Sequence, residues 1–394
     1  MAGALASDTI CDQIPLDDTF DPISPSLYTS NPSTISQSAG GVGRNVAVAA
    51  HLAGAEVALA SVVADDLAGE SLLEHIETVG LSTKHIRRLS KASGARTAQY
   101  VAVNDTKKDL VLAMADMSIL ARPDLGSPDY WIATMRENKP KWVVVDGNWS
   151  PGIISSIIDA ARSCKAPIAF EPVSAVKAAR LFHKANLSVS TSSVVPDHAV
   201  HLAAPNAIEL TAMWDAASNA SLFESDRWWD VIDNFGMAST GSRERLISIT
   251  SRELVDQGLP QQCLQLLPFI PNMVTKLGRQ GCLLATLLRR GDERLTRPDC
   301  APYIIARNMS SSTDISGVYM RLFPPSREIL QDEVISVNGV GDTLLGVILA
   351  GLVKGKSLEQ VIPIAQDAAV LTLKSAEAVS SEVQSLRPRL TRML

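Results

Sequence analysis

Short apolar, β-branched runs alternate along this chain with segments of helical periodicity. Residues 142–146, 167–171, 199–203, 273–277 and 282–286 read as buried strands. Residues 150–163 and 347–353 read as helices between or after them. This alternation predicts an α/β fold with a parallel sheet covered on both faces. In such a sheet ligands sit beyond the carboxyl ends of the strands. Polar residues collect there: Asp146-Gly-Asn148, Glu171-Pro-Val-Ser174, Pro205-Asn206 and Lys276-Leu-Gly278.

A different texture marks the N-terminal third. Residues 99–103 and 110–114 flank the polar stretch 104–108 and read as a β-hairpin. With residues around 10–37 they predict a small sheet standing off the main domain as a lid, its segments spanning about 9–37 and 94–117. Residues 215–270 read as a polar, helix-prone insertion, with Trp228 and Trp229 as packing anchors. The whole chain, residues 1–394, reads as one domain that includes the lid segments and the insertion. Residues 1–8 look like the end of a strand whose first half is missing, the pattern of a chain cut from a longer polypeptide.

Composition narrows the classes. The 394 residues are 46% hydrophobic, enough for a sizeable core, and the net charge of −6 argues against a nucleic-acid partner or an anionic membrane surface. No apolar run approaches the roughly 20 residues of a membrane span. The five scattered cysteines form no CxxC pair, which favours reduced thiols and a cytoplasmic setting. His198 and His201 read as ordinary polar positions rather than metal ligands.

The sharpest chemical signal is Ser336-Val-Asn-Gly-Val-Gly-Asp-Thr-Leu-Leu-Gly346. Gly339 and Gly341 permit a tight turn that exposes backbone N–H groups at the positive end of an apolar helix. Such a place holds an anion, and Asp342 sits inside it. A carboxylate there suits proton removal from a hydroxyl attacking a phosphoryl group. Gly40-Gly-Val-Gly-Arg-Asn45 is either a plain glycine turn or a close approach to a ligand, with Asn45 reaching a pair of hydroxyls. Asp8 is either a turn aspartate or a diol acceptor. Asn206 and Glu209 fit a capping box, a hydrated Mg²⁺ site, or both. Lys276, Gly278 and Gly281 read as a hairpin turn on which a nucleotide could rest. No GxxxxGK[ST] sequence is present, which argues against a P-loop enzyme.

In this order the segments resemble the ribokinase-like (PfkB-type) carbohydrate kinases over almost the whole chain. The resemblance rests on Gly3-Ala-Leu-Ala-Ser-Asp8, Gly40-Gly41 through Asn45, Asn206-x-x-Glu209 and Gly339-Val-Gly-Asp342. It implies a three-layer α/β/α fold with a β lid, and ATP and Mg²⁺ as cofactors. Residues 40–45, Met114-Ala-Asp-Met117, Asp146-Gly-Asn148, Glu171-Pro-Val-Ser-Ala175 and 337–342 are most similar to the pseudouridine kinase branch.

By position, the resemblance implies that Asp342 is the base for the ribose 5′-hydroxyl and that Gly339, Val340 and Gly341 hold the transferring phosphoryl group. It places Asp8, Gly40, Gly41 and Asn45 on the ribose, with Thr97 and Asp116 as further substrate-side candidates. Asn206 and Glu209 are implied at the metal, and Lys276, Gly278, Gly281 and Asn338 at the nucleotide. Lys276 stands where the family has Thr or Ser, and either reaches a phosphate or is solvated. The implied substrate is pseudouridine or a similar small nucleoside, with no nucleic-acid or membrane partner. A homodimer is left open, and a pseudouridine-5′-phosphate glycosidase is implied as a fused or cooperating partner. The alternatives are another PfkB-type sugar or nucleoside kinase, of ribokinase or adenosine kinase kind, or a non-catalytic nucleoside-binding protein.

Overall fold

The computed structural model describes residues 1–15, 24–237, 240–310, 313–330 and 333–391. In chain order its strands are β1 (Ala6–Gln13), β2 (Ser33–Gly40), β3 (Ser61–Ala64), β4 (Ile86–Leu89), β5 (Gln99–Asn104), β6 (Leu110–Asp116) and β7 (Val143–Asp146). They continue with β8 (Ile168–Glu171), β9 (Leu202–Ala203), β10 (Asn272–Lys276), β11 (Cys282–Arg289), β12 (Ile304–Arg307) and β13 (Ile315–Phe323). The main sheet has the order β12-β13-β11-β10-β9-β8-β7. It is mixed rather than parallel throughout: β7 to β10 run parallel, while β11, β13 and β12 pair antiparallel. Beyond β7, Ala2 bridges Val145 on one side and Ala60 on the other, both in parallel. Its N–H donates to the Val144 carbonyl at 2.8 Å, and that of Gly3 to the Ala60 carbonyl at 3.1 Å. The chain start therefore stitches the parallel pair β3 and β4 to the main sheet.

Alternate residues of the strands feed two separate cores, which is what a sheet covered on both faces requires. Val143 and Val145 pack with Ile153, Ile157 and Trp131 on one face, while Val144 packs with the helices of the other. The first face is covered by α3 (Pro128–Asn138) and α4 (Pro151–Ser163) with the helix Ala207–Asn219. The second face carries α1 (Val42–Leu52) and the helices Val340–Val353 and Leu358–Leu373. The helix Val340–Val353 begins a full two turns before the apolar run 347–353, so Asp342 lies within its first turn.

The lid is a four-stranded sheet of order β2-β1-β5-β6. Strand β1 pairs antiparallel with β2 and parallel with β5, and β5 and β6 form the hairpin expected at 99–114. Of the expected lid segment 9–37, residues 9–13 and 33–37 lie in these strands, and residues 16–23 are outside the described residues. The stretch 215–270 contributes the helices Asp226–Asp233, Ser242–Ile249, Arg252–Asp256 and Leu259–Leu266. Trp228 is buried there and donates from Nε1 to the Gln265 carbonyl at 2.9 Å. Trp229 is 49% exposed, so only the first tryptophan anchors the segment. All five cysteines are free thiols, and no helix among the described residues is long and apolar enough to cross a membrane.

Candidate active site

The site forms where the first strand, α1 and the helix Val340–Val353 converge. Close packing there depends on glycine. A Cβ on Gly43 would stand 2.3 Å from the Gly3 carbonyl carbon, and one on Gly346 would stand 2.6 Å from the Ala49 Cβ. With bare backbone at these crossings, α1 seats on both neighbours, and Asn45 donates from Nδ2 to Asp342 Oδ2 at 2.9 Å. Arg44 Nη1 in turn donates to Asn45 Oδ1 at 3.0 Å, and its Nη2 donates to His75 Nε2 at 2.6 Å. Arg44 and Asn45 are both buried. The chain of donors fixes which way the Asn45 amide faces, because Oδ1 can only accept.

Asp8 enters from the lid strand β1. A Cβ on Gly40 would fall 1.9 Å from Asp8 Oδ2, so the glycine leaves the space that this carboxylate fills. Gly41, at φ +93°, turns the chain from β2 into α1. Burial raises the Asp8 carboxyl to about 6; the Arg44 guanidinium opposes the rise and Asp342 adds to it. Burial likewise raises Asp342 to about 6, against the Asn45 hydrogen bond and the Lys276 ammonium, which both lower it.

Asp342 lies beside an anion-ready helix start. Gly339 is left-handed at φ +71°, and a Cβ on it would overlap the Ala378 carbonyl oxygen at 1.9 Å. No side chain caps this helix, so its first-turn N–H groups remain available. Lys276, the last residue of β10, lies against it: a Cβ on Gly341 would stand 3.3 Å from Lys276 Nζ. Glu171, at the end of β8, accepts from Nζ at 2.9 and 3.0 Å through its two oxygens. Burial lowers the lysine's affinity for its proton, but the carboxylates of Glu171 and Glu209 outweigh that and hold it above its ordinary value.

Asn206 and Glu209 form a reciprocal capping box at the start of the helix Ala207–Asn219. The Glu209 N–H donates to Asn206 Oδ1 at 2.8 Å, and the Asn206 N–H donates to Glu209 Oε2 at 2.8 Å. Glu209 is buried, and its charge is felt by Lys276, Glu171 and Asp342, which places it at the same strand ends. Gly278 and Gly281, at φ +56° and +90°, shape the turn between β10 and β11, beside Lys276. Asn338 lies in the exposed turn before the helix.

Two sequence-derived candidates have other partners. Thr97 is fully buried, accepts from the Ala64 N–H at 2.9 Å and donates to Asp66 Oδ1 at 2.6 Å. It thereby braces Asp66, which caps α2 (Leu67–Thr78) through the Gly69 N–H at 2.8 Å. Asp116 pairs with Arg96 at 2.7 Å and accepts from Ser118, whose hydrogen bonds and Arg96 hold its carboxyl down at about 2. Asp146 is a brace as well: it accepts from the Ala4 N–H at 2.7 Å and the Asn148 N–H at 2.9 Å, fixing the strand that leads to Asp8. The sequence reading assigned no role to Arg44 or Glu171, although both lie inside stretches it singled out, 40–45 and 171–175.

A main sheet faced by helices, a small β lid and a glycine-capped helix start carrying an aspartate define a ribokinase-like fold. The sequence pattern of the pfkB family carbohydrate kinases matches residues 7–133 and 326–385, which hold the lid, Asp8, Asn45 and Asp342. The chain belongs to that family. It is 30% identical over 363 residues, 91% of its length, to the pseudouridine-metabolizing bifunctional protein of Schizosaccharomyces pombe, and spans 44% of that protein. It is 29% identical over 160 residues to the pseudouridine kinase of Escherichia coli, spanning 40% of this chain and 48% of that one. The chain thus spans about half the length of these curated relatives or less. Among solved structures, ribokinase from Cryptococcus neoformans in complex with ADP superposes with a TM-score of 0.59 at 17% identity, covering 98% of both chains. The nucleoside kinase of Burkholderia thailandensis in complex with inosine superposes with a TM-score of 0.57 at 13% identity, covering 99% of this chain and 94% of that one.

Proposed function

We propose that this chain phosphorylates pseudouridine on its ribose 5′-hydroxyl, with ATP as phosphoryl donor. The observation that carries the reading is Asp342: a carboxylate raised to about 6, gripped by Asn45 and set in the first turn of an uncapped helix. The pseudouridine in the names of two relatives supports the choice of nucleoside.

In this reading Asp8 and Asn45 orient the ribose. Asp342 takes the 5′-hydroxyl proton as that oxygen bonds to the terminal phosphorus of ATP and the bond from phosphorus to the ADP oxygen breaks. The first-turn N–H groups around Val340 and Gly341 face the phosphoryl oxygens and balance the charge that builds there. The turn holding Gly278 and Gly281 supports the nucleotide.

No group of three His, Cys, Asp or Glu side chains able to hold a metal converges among the described residues. Glu209 also uses one oxygen at its own helix start. With so few protein donors, the residues present would suit a magnesium ion that keeps most of its waters. Glu209 and Asn206 would orient it, and the ion would screen the phosphate charge.

Release of ADP by the purified chain, followed over a panel of nucleosides and sugars, tests the assignment. Pseudouridine should turn over well above uridine, adenosine, ribose and fructose. Pseudouridine carries a ring N–H that uridine lacks, and a site built to pair it rejects the analogue strongly. Equal rates on uridine and pseudouridine, or preference for a free sugar, would refute this substrate. A pseudouridine-5′-phosphate glycosidase, fused or separate, is the proposed partner acting on the product.

A further inference from the structure

The reaction as described leaves one buried ion pair without a task. Lys276 reaches past the end of the two-residue strand β9 to Glu171 on β8. The Glu171 side chain is 2% exposed and that of Lys276 15%. Burying such a pair brings little stability, because desolvation cancels most of the attraction. Its position is informative instead. Lys276 Nζ lies 3.3 Å from where a Cβ of Gly341 would be, at the helix start that faces the anion. A free lysine would sample many rotamers there, whereas two contacts of 2.9 and 3.0 Å to a buried carboxylate hold the ammonium in one place.

Building on the kinase reading above, we propose that Lys276 is a further catalytic residue, its ammonium donating to the phosphoryl group in transit, and that Glu171 is the positioning residue that aims it. Glu171 touches Lys276 and acts through it. No bond is made or broken by the pair: the ammonium keeps its proton and matches the charge spread over the phosphoryl oxygens.

The test compares Glu171→Gln, Lys276→Met and the double variant, which removes both charges and strands neither, for kcat, for the KM of ATP and for melting temperature. Lys276→Met should lower kcat by about 10²–10³-fold, the cost of losing one preorganised donor. Glu171→Gln should lower it at least about tenfold while the KM of ATP stays within about threefold, since misaiming a donor weakens the transition state more than the ground state. The double variant should be about as slow as Lys276→Met alone, because Glu171 has nothing left to aim. If Glu171→Gln fails to fold, Glu171→Asp keeps the charge, shortens the reach and should give the same split. A Glu171 variant that folds and turns over at the parental rate, or single losses that multiply in the double variant, would overturn the proposal. A parent chain that releases no ADP with any nucleoside or sugar would overturn the kinase reading and this inference with it.

Discussion

Asn45 and Asp342, 297 residues apart in the chain, meet through a single hydrogen bond of 2.9 Å that fixes one oxygen of the carboxylate; on the proposed function the other oxygen takes the substrate hydroxyl. The bond stabilises the charged form of Asp342, while burial favours the neutral form more strongly. The carboxyl is left near 6, where it is ionised at neutral pH and still basic enough to take a proton.

Asp342→Asn should therefore remove about 10²–10⁴-fold of the turnover and leave ATP binding largely intact, since the amide keeps the shape but cannot accept the proton. Single-turnover rates and a nucleotide titration check both halves. A variant that keeps more than about a tenth of the parental rate would show that another group is the base.

The pH–rate profile should fall as pH drops through about 6, because a protonated Asp342 cannot act as a base. Asp8 titrates in the same region and, on the proposed function, faces the same substrate, so the acid limb of kcat/KM should be steeper than for one proton. Asn45→Ala removes a hydrogen bond that lowers Asp342 and should move the limb to higher pH. An unmoved limb would mean that Asn45 does not tune this carboxylate.

Stability should run opposite to activity. A folded-state value raised from 3.8 to about 6 means that the Asp342 contribution is fully present below 3.8 and is lost as pH rises through about 6. At neutral pH the ionised group therefore costs the fold, by at most about 3 kcal/mol, since the residue keeps part of its surface in water. Asp342→Asn should melt above the parent at pH 8, and the gap should shrink toward pH 5. A gap that widens toward acid pH would contradict this electrostatic account.

Gly40→Ala should raise the nucleoside KM by roughly 10–100-fold, the weight of one lost hydrogen bond to a charged group. The added methyl would lie 1.9 Å from Asp8 Oδ2 and force that carboxylate out of place. The KM of ATP, read in the same kinetic series, should hardly change.

Thr97→Val separates a brace from a ligand. It removes the donor to Asp66 and the acceptor for the Ala64 N–H, which should cost about 1–3 kcal/mol in denaturant titrations. The nucleoside KM should stay at the parental value. A raised KM at unchanged stability would put Thr97 back on the substrate.

Local signals were the legible ones. The glycine spacing at 339–341 and 40–41 marks backbone that must turn or touch, and both stretches do so against specific atoms. The lid hairpin follows from two short apolar runs on either side of a polar turn. Strand direction was not legible. Strand β11 is antiparallel to both of its neighbours yet buried on both faces, so it carries the same continuous apolar run as the parallel strands. The glycine turn marked a helix start, but residues 340–346 were less legible as helix than the apolar run 347–353, because Gly341 and Gly346 interrupt the helical pattern; close packing of Gly346 on α1 offsets this. Partnerships such as Glu171 with Lys276, 105 residues apart, exist only once the sheet brings the strand ends together.

The first strand has a consequence for traffic through the site. Residues 1–3 are hydrogen-bonded into the main sheet, and the same strand runs on as β1 into the lid, carrying Asp8 with it. On the proposed function, the lid and the carboxylate that holds the ribose are thus a single piece of backbone. A lid that swung aside would withdraw that carboxylate, so how long a nucleoside stays and how readily the entrance opens would be set by the same short lever.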